Sequence, residues 1–259
     1  MIPSVRQRPN SRAGRPVTVL FDLDDTLFAH RRAVAIGITA YRTGAGGADV
    51  IRGDDVVRND EMEAEHWRVL EEEYYHRSLA GELSFQAQRR ARAREFTAPY
   101  GHNLELDTAT DSWFDGYREE YEAAWTLDDD AVSCLTGLRA HGVKLGIITN
   151  GELAFQQEKI DRVGLTLLID DLIASGELGI AKPDRRIFEH ACARFEVIPF
   201  DAVSVGDRLE TDAIGAARAG LQGVWLNRSR GTTAAEEAAA ATSGVSIIRS
   251  LDELMPLLD

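Results

Sequence analysis

Residues 17–28, VTVLFDLDDTLF, place an apolar run directly before a cluster of three aspartates. The apolar run predicts a buried strand. Because alternate side chains of an extended chain point to opposite faces, Asp22, Asp24 and Thr26 should share one side and Asp25 should face away. Two carboxylates about 4 Å apart repel by ~4 kcal/mol at an effective dielectric near 20, which raises one pKa unless a cation lies nearby. The stretch predicts a reactive or metal-binding acid pair; alternatively, Asp22 only caps the following turn.

Four further apolar segments alternate with amphipathic helical patterns in the second half of the chain. These segments are residues 143–149, 202–205, 223–226 and 245–248. Such alternation predicts an α/β fold with a doubly wound parallel sheet, in which the functional site lies at the carboxyl ends of the strands.

The segment between the first strand and residue 125 is polar, rich in Arg and Glu, and has no convincing strand pattern. Its helical patterns cover residues 31–43, 55–79, 83–98 and 108–124, with a glycine-rich break at residues 44–47. We therefore predict a core domain (17–30 and 125–259), an inserted α-helical cap domain (31–124) and a mobile N-terminal tail (1–16). Within the cap, the spacing of Trp67, Leu70 and Tyr74 predicts a packed interior, and the arginines of residues 88–96 predict a solvated face paired with neighbouring Glu.

The net charge of −14 limits the partners of the protein. It argues against binding to nucleic acid or to an anionic membrane, and it means that a phosphorylated substrate needs a local cationic site. Only three of the 29 basic residues are lysines, namely Lys144, Lys159 and Lys182, so the position of each lysine is informative. No apolar run is long enough for a membrane span, no secretory signal is recognised, and Cys134 and Cys192 are expected to be buried thiols, so we predict a cytoplasmic protein.

Two motifs after the cap region supply groups that suit a phosphate. Residues 148–151, ITNG, end a predicted strand with Thr149, Asn150 and Gly151, and a hydroxyl with backbone N–H groups at a helix start can hold a phosphate. Residues 180–184, IAKPD, place Lys182 at the start of another predicted helix. The alternative for Lys182 is a solvated surface lysine.

A third motif supplies more carboxylates. Residues 204–212, SVGDRLETD, end a predicted strand in Gly206 and Asp207 and continue to Asp212. Carboxylates in a tight turn at a strand end are oxygen ligands suited to Mg²⁺. For Asp212 a helix N-cap is an equally good interpretation.

The motifs Asp-x-Asp-x-Thr, Thr-Asn-Gly, Lys-Pro and Gly-Asp-x₄-Asp follow one another in an order that resembles the haloacid dehalogenase (HAD) superfamily. The resemblance covers residues 17–30 and about 125–228, and the cap matches only in position and helical character. The pattern looks closest to small-molecule phosphatases of the superfamily, such as pyrimidine nucleotidases and N-acylneuraminate-9-phosphatases.

The resemblance implies a role for each motif. Asp22 would be the nucleophile that forms an aspartyl-phosphate, and Asp24 the general acid and base. Thr149 and Asn150, with Gly151, would hold the phosphoryl group, and Lys182 would bridge it and the nucleophile. Mg²⁺ would be held by Asp22, the backbone carbonyl of Asp24, Asp207 and, further out, Asp212. The residues just beyond the first motif, Phe28 and His30, are the candidates for substrate specificity.

The expected substrate is a small phosphorylated metabolite, and a homodimer is left open. A metal-independent 2-haloacid dehalogenase, a sugar-phosphate mutase and a non-catalytic phosphate-binding regulatory module are the alternatives. Asp24 and Asp207 favour phosphoryl chemistry over dehalogenation, since haloacid dehalogenases carry an aromatic residue at the position of Asp24 and work without metal.

Overall fold

A computed structural model describes residues 18–43, 59–101, 104–229 and 231–258. The predicted mobile tail (1–16) and the glycine-rich break (44–47) lie outside the described residues, as do the first residues of the helix predicted over 55–79. Among the helices of the described ranges, none is long and apolar enough to cross a membrane.

A six-stranded parallel sheet in the order β3-β2-β1-β4-β5-β6 forms the centre of the molecule. Its strands are β1 (Thr18–Phe21), β2 (Lys144–Thr149), β3 (Asp171–Ala174), β4 (Ala202–Gly206), β5 (Gln222–Leu226) and β6 (Ser246–Ile248). The predicted doubly wound α/β class is therefore confirmed. The sequence prediction missed β3, a four-residue edge strand whose first two residues are only half-buried, so it lacks the continuous apolar run of its neighbours.

Helices cover both faces of the sheet because alternate strand residues are buried on opposite sides. Val19 and Phe21 of β1 belong to one apolar cluster with α5 and α11, whereas Leu20 packs with α8 and α9 on the other face. The helices of this part of the chain are α5 (Ala131–Ala140), α6 (Leu153–Arg162), α7 (Ser175–Leu178), α8 (Arg185–Arg194), α9 (Gly215–Ala219), α10 (Ala234–Ser243) and α11 (Leu254–Leu258).

In the described residues between β1 and α5 there are four α-helices, and we call them the helical insert. They are α1 (His30–Thr43), α2 (Asp60–Leu79), α3 (Phe85–Thr97) and α4 (Asp107–Ala123), close to the predicted bounds. The division of the chain into core and cap domains stays a prediction. The predicted interior of the insert is confirmed, since Trp67, Leu70 and Tyr74 are buried. Trp67 contacts the rings of Phe96 and Tyr117 with centroids 5.0 and 4.7 Å apart.

The helical insert is tied to the sheet region by ion pairs and a hydrogen bond at the carboxyl edge. Arg208, which follows β4, donates to both carboxylate oxygens of Glu72 on α2, with 2.6 Å between Nη2 and Oε2. Tyr75 of α2 donates to the backbone carbonyl of Asn150 at 3.2 Å. The insert therefore covers the end of the sheet at which a doubly wound fold places its site.

Candidate active site

A cleft of about 220 Å³ lies between the carboxyl ends of β1, β2 and β4 and the helical insert. Strand β1 is paired with β2 on one side and β4 on the other, so the connections leave in opposite directions there and open a crevice. The structure brings together most of the predicted residues on its walls: Asp22, Asp24, His30, Thr149, Asn150, Gly151, Lys182, Asp207 and Asp212.

Asp22 is the first residue beyond β1, and its backbone still follows the sheet. Its N–H donates to the carbonyl of Val205 at 2.8 Å. The chain then turns, with the carbonyl of Leu23 accepting from the N–H groups of Leu27 and Phe28 at 3.0 and 2.9 Å. This turn, and not an extended continuation of the strand, places Asp24 and Thr26, whose hydroxyl donates to Asp22 at 3.3 Å. The predicted grouping of side chains is correct, but the extended geometry assumed for it is wrong.

Asp25 does not face away from the site as the alternation predicts. It adopts a left-handed conformation with φ of 60°, which Asp tolerates better than most residues. Its carboxylate accepts from the backbone N–H of Arg31 at 2.8 Å and contacts the Arg31 guanidinium at 3.2 Å. Asp25 therefore lies at the edge of the cleft and holds the start of α1 through Arg31.

Lys182 is the buried cation at the base of the cleft. Its ammonium lies 2.6 Å from Asp22 and 2.7 Å from Asp212, and it donates to the carbonyl of Ile148 at 2.9 Å. Only 4% of the Lys182 side chain is exposed, so the surface-lysine alternative is excluded. Burial alone would lower the pKa of Lys182, but Asp212 and Asp22 outweigh it and raise the pKa well above its usual value.

Asn150 holds Lys182 in place through a pair of hydrogen bonds. Its amide nitrogen donates to the Lys182 carbonyl at 2.9 Å, and its amide oxygen accepts from the Lys182 N–H at 2.7 Å. The Asn150 side chain is thus occupied with a neighbouring loop, so backbone N–H groups and the Thr149 hydroxyl are the donors that this strand end could offer to a ligand. Thr149 itself is buried and accepts from Gln156 at 2.8 Å.

Three carboxylates, those of Asp22, Asp207 and Asp212, offer oxygens within 4.8 Å of one another. Gly206 permits this approach, because a Cβ there would lie 2.4 Å from the Asp212 side chain. Burial, with Asp22 and Asp212 adding to it, raises the pKa of Asp207 to about 8. Burial also raises the pKa of Asp22 to about 6 despite the opposing effect of Lys182. The cluster is therefore short of positive charge.

Asp212 lies in a π-helical turn over Leu209–Ile214. Its second oxygen accepts from the Arg208 N–H at 2.9 Å while the first pairs with Lys182. The N-cap interpretation of Asp212 is therefore wrong, because Arg208 is the N-cap of this turn and Asp212 lies inside it. Its role as a metal ligand stays a prediction. Asp24 does not join the three-carboxylate cluster with its side chain.

The side chain of Asp24 pairs instead with Lys159 of α6. The Lys159 ammonium lies 2.7 Å from one carboxylate oxygen, and the Gln156 amide donates to the other at 3.3 Å. Burial alone would raise the pKa of Asp24, but Lys159 and then His30 lower it below its usual value. Sequence reasoning missed both Lys159 and Gln156, although the scarcity of lysines was a usable signal.

Replacing Lys159 by Met is expected to raise the pKa of Asp24, because the change removes the cation that keeps this buried carboxylate ionised. Carboxyl ¹³C NMR titration of Asp24 in the wild type and the variant measures the shift. Lys144→Met is the matched control, since Lys144 is an exposed lysine at the start of β2 and should leave the titration unchanged. Equal Asp24 titration curves in wild type and Lys159→Met would contradict this account of the ion pair.

The two residues predicted to set specificity are placed differently. His30 lines the cleft, with one ring nitrogen 3.0 Å from Tyr121 Oη and the other 3.0 Å from Glu71. Burial would lower the pKa of His30, but Glu71 raises it above the usual value. Phe28 is fully buried beneath the cleft, with its ring centroid 4.9 Å from Lys159 Nζ, and does not line it. Phe28 therefore supports Lys159 from below and forms no part of the cleft wall.

Comparison with known families decides the identity of the chain. A family model for haloacid dehalogenase-like hydrolases matches residues 17–220, which include every strand end that contributes to the cleft. The chain is a haloacid dehalogenase-like hydrolase. The expectation drawn from the motifs is thereby confirmed.

Curated relatives of this haloacid dehalogenase-like hydrolase carry phosphatase names. It is 42% identical to N-acylneuraminate-9-phosphatase of Rattus norvegicus over 107 residues, which are 41% of this chain and 43% of the relative. It is 39% identical to the pyrimidine 5'-nucleotidase YjjG of Escherichia coli over 126 residues, 48% of this chain and 55% of the relative. The chain thus spans about half the length of the curated relatives it matches.

Solved structures extend the similarity of the haloacid dehalogenase-like hydrolase to nearly its whole length. The HAD-hydrolase YfnB of Bacillus subtilis has a TM-score of 0.74 at 22% identity, covering 95% of this chain and 99% of that one. The 2-haloacid dehalogenase of Pseudomonas syringae has a TM-score of 0.62 at 27% identity, covering 93% and 97%. These structures show a shared fold that includes the helical insert.

Proposed function

We propose that this protein is a Mg²⁺-dependent phosphatase that hydrolyses a small-molecule phosphate monoester through an aspartyl-phosphate intermediate. The observation that carries the proposal is the pairing of Asp22 with buried Lys182 beside two further carboxylates at one strand edge. The phosphatase names of the curated relatives support it, over the half of their length that the similarity covers.

The donor set fits Mg²⁺. Oxygens from Asp22, Asp207 and Asp212 lie within 4.8 Å of one another, and hard divalent cations prefer carboxylate oxygens. Burial, with Asp22 and Asp212 adding to it, raises the pKa of Asp207, and the Arg31 guanidinium 3.0 Å away is more than half exposed and compensates it weakly. We assign Asp22, Asp207 and the backbone carbonyl of Asp24 as ligands, with Asp212 behind them. A bound Mg²⁺ would supply positive charge to the phosphoryl oxygens of the transition state.

The chain's own residues account for the remaining steps. Asp22 attacks phosphorus, and the leaving oxygen takes a proton from Asp24. Lys182 stabilises the charge that spreads over the phosphoryl oxygens, and the Thr149 hydroxyl with the backbone N–H groups of Asn150 and Gly151 orients them. Asp24 then removes a proton from the water that hydrolyses the aspartyl-phosphate.

Asp24 must carry a proton when the leaving group departs, whereas Lys159 keeps it ionised in the free enzyme. A phosphate dianion beside Asp24 is a like charge and raises the pKa of the carboxyl group. Substrate binding is therefore accompanied by proton uptake at Asp24. The helical insert excludes bulk water, which strengthens these interactions.

A 2-haloacid dehalogenase is the second candidate, favoured by the solved structure of that name. A halide leaves without a proton, so dehalogenation gives no role to Asp24 as a general acid or to a metal ion held by the three carboxylates. The charge of −14 argues against nucleic acid as a partner, and Lys182 supplies the local cationic site that a small phosphorylated substrate needs. The cytoplasmic location and the homodimer stay predictions from the sequence.

The proposal is tested with purified enzyme, Mg²⁺ and a panel of esters that includes an aryl phosphate, sugar phosphates and nucleoside monophosphates. Release of inorganic phosphate is the expected result. Chloride release from 2-chloro acids without phosphate release would replace the phosphatase proposal by the dehalogenase. Phosphate transfer to a sugar hydroxyl in place of water would indicate a mutase, and binding without any turnover a regulatory module.

Mg²⁺ is expected to raise the thermal unfolding temperature, by more above pH 8 than below pH 6. Asp22 and Asp207 have folded-state pKa values above the usual 3.8, so without metal they contribute stability at low pH that is lost as the pH rises through about 6 and about 8. Mg²⁺ binds the ionised carboxylates and opposes that loss, by about 2.7 kcal/mol at a hundredfold excess over Kd. Differential scanning calorimetry with and without Mg²⁺, at pH values from below 6 to above 8, measures the shift in unfolding temperature. In Asp207→Asn the Mg²⁺ effect should largely disappear; an effect independent of both pH and Asp207 would contradict the site.

A further inference from the structure

The cationic side chains of the cleft are almost all paired. Eight Lys and Arg residues line it, and seven of them lie within 4 Å of a carboxylate: Arg31, Arg68, Arg92, Arg118, Lys159, Lys182 and Arg208. The eighth is Arg89 of α3. In the described part of the chain, no carboxylate lies within ion-pair distance of Arg89, and its guanidinium makes no hydrogen bond that would replace one.

Arg89 is surrounded by aromatic rings. Its guanidinium carbon lies 4.1 Å from the ring centroid of Phe85, 5.1 Å from that of Phe114 and 5.5 Å from that of Phe155. These rings belong to α3, α4 and α6, so Arg89 stands where the helical insert meets the sheet region. Burial, with Arg118 and Arg92 adding to it, lowers the pKa of Arg89 to about 10. A cation in such surroundings gains more from an anionic partner than one in water.

Gln88, the neighbour of Arg89, gives an independent sign of a ligand site. It also lines the cleft, is 7% exposed, and its amide oxygen has no hydrogen-bond partner. Buried polar atoms normally have a hydrogen-bond partner. The unpartnered Gln88 oxygen and the unpaired Arg89 guanidinium therefore indicate that a ligand supplies the missing hydrogen bond and the missing negative charge. Arg89 contacts the three phenylalanine rings, whereas Asp22 contacts Lys182 and lies beside two further carboxylates. These contacts have no residue in common, and the two groups therefore occupy different parts of the cleft wall.

We propose that the physiological substrate carries a carboxylate at the end remote from the scissile phosphate, and that Arg89 binds it while Gln88 hydrogen-bonds a neighbouring polar group. This inference rests on the proposed phosphatase function. A carboxylate matches the single uncompensated charge of one guanidinium and the two-pronged geometry of its donors. A second phosphate, with about −1.5 to −2 charges, would leave negative charge unbalanced in an acidic protein.

The test compares kcat/KM for propyl phosphate with that for the matched ester whose chain ends in a carboxylate, using the full-length enzyme with Mg²⁺. The wild type should prefer the carboxylate ester by about 10- to 100-fold, the range expected for a charge-assisted hydrogen-bonded pair. Arg89→Met, which keeps the apolar contacts with the rings, should abolish that preference, because kcat/KM for the carboxylate ester should fall about 10- to 100-fold more than kcat/KM for propyl phosphate. Arg94→Met is the control, because Arg94 lies on the same helix, pairs with Asp107 and does not line the cleft.

Three outcomes would overturn the proposal. One is hydrolysis of propyl phosphate and an aryl phosphate with no preference for the carboxylate ester, which leaves the phosphatase function standing. Another is an equal loss for both esters in Arg89→Met, which indicates a structural role. The third is an Arg89-dependent preference for propanediol bisphosphate, which assigns the site to phosphate. Failure to hydrolyse any ester would overturn the phosphatase function and this proposal with it.

Discussion

Asp22→Asn is expected to abolish phosphate release while the protein stays folded. Removing the nucleophile of a covalent mechanism costs on the order of 10⁴- to 10⁶-fold in kcat, since the remaining groups cannot form the intermediate. Asn has nearly the same shape, and Lys182 keeps its contact with Asp212 at 2.7 Å. The change also removes one of three crowded carboxylates, so the thermal unfolding temperature should not fall. Steady-state phosphate release and calorimetry on the same samples measure both effects.

Asp25→Asn is the matched control for this change. It makes the same chemical substitution three positions along the turn, and Asn tolerates the φ of 60° and can accept the hydrogen bond from the Arg31 N–H. Mg²⁺-dependent turnover should therefore be retained. If Asp22→Asn keeps substantial turnover, or if Asp25→Asn loses as much, Asp22 is not the nucleophile.

Lys182→Met is expected to remove activity and also to destabilise the protein. Lys182 is 4% exposed and neutralises Asp22 and Asp212, so its loss leaves two buried carboxylates without their cation. Breaking a buried pair by removing one partner costs about 3–5 kcal/mol of unfolding free energy. Loss of a donor to the transition-state charge costs about 10²- to 10³-fold in kcat. Urea unfolding and phosphate release measure the two effects.

The destabilisation by Lys182→Met should depend on pH in a defined direction. Lys182 lowers the pKa of Asp22, so without Lys182 the folded-state pKa of Asp22 moves further above the unfolded value. An acid with a raised folded pKa takes up its proton at low pH without penalty, so the deficit should be small near pH 4 and grow as the pH rises. Lys144→Met, which removes an exposed lysine, should change stability by less than about 0.5 kcal/mol. A deficit that is the same at all pH values would mean lost packing and not lost charge.

Much of the fold follows from short-range patterns in the sequence. The apolar runs of β1, β2, β4 and β5 are continuous because buried parallel strands are covered on both faces, and this makes them recognisable. At the two sheet edges the strands are only partly buried: β6 was still recognised from Val245, Ile247 and Ile248, whereas β3 begins with Asp171 and was missed. The helices of the insert were recognised from apolar spacing and polar breaks, and only their ends differ by a few residues.

The site residues at the ends of strands could be predicted from the sequence. The ion-pair partner that a helix supplies to one of them could not. Asp22, Thr149 and Asp207 each follow a strand, so the parallel topology alone brings them to one edge. Lys159 belongs to α6, and its contact with Asp24 spans 135 positions of sequence. The Asn150 amide was predicted to hold a phosphate, but it binds the backbone of Lys182. Lys182 lies on a loop 32 positions further along the chain, so the sequence does not reveal this contact.

The sequence by itself determined the α/β class, the order of the chemical motifs and the strand end at which they meet, because these follow from local apolar periodicity and from chain polarity in a parallel sheet. Only the tertiary structure decided which charges neutralise which. Ion pairing depends on distances between side chains remote in sequence, and each pair formed removes two candidates for ligand binding. Lys182 and Lys159 are thereby assigned to Asp22 and Asp24, and Arg89 is left as the cation of the cleft without a carboxylate among the described residues.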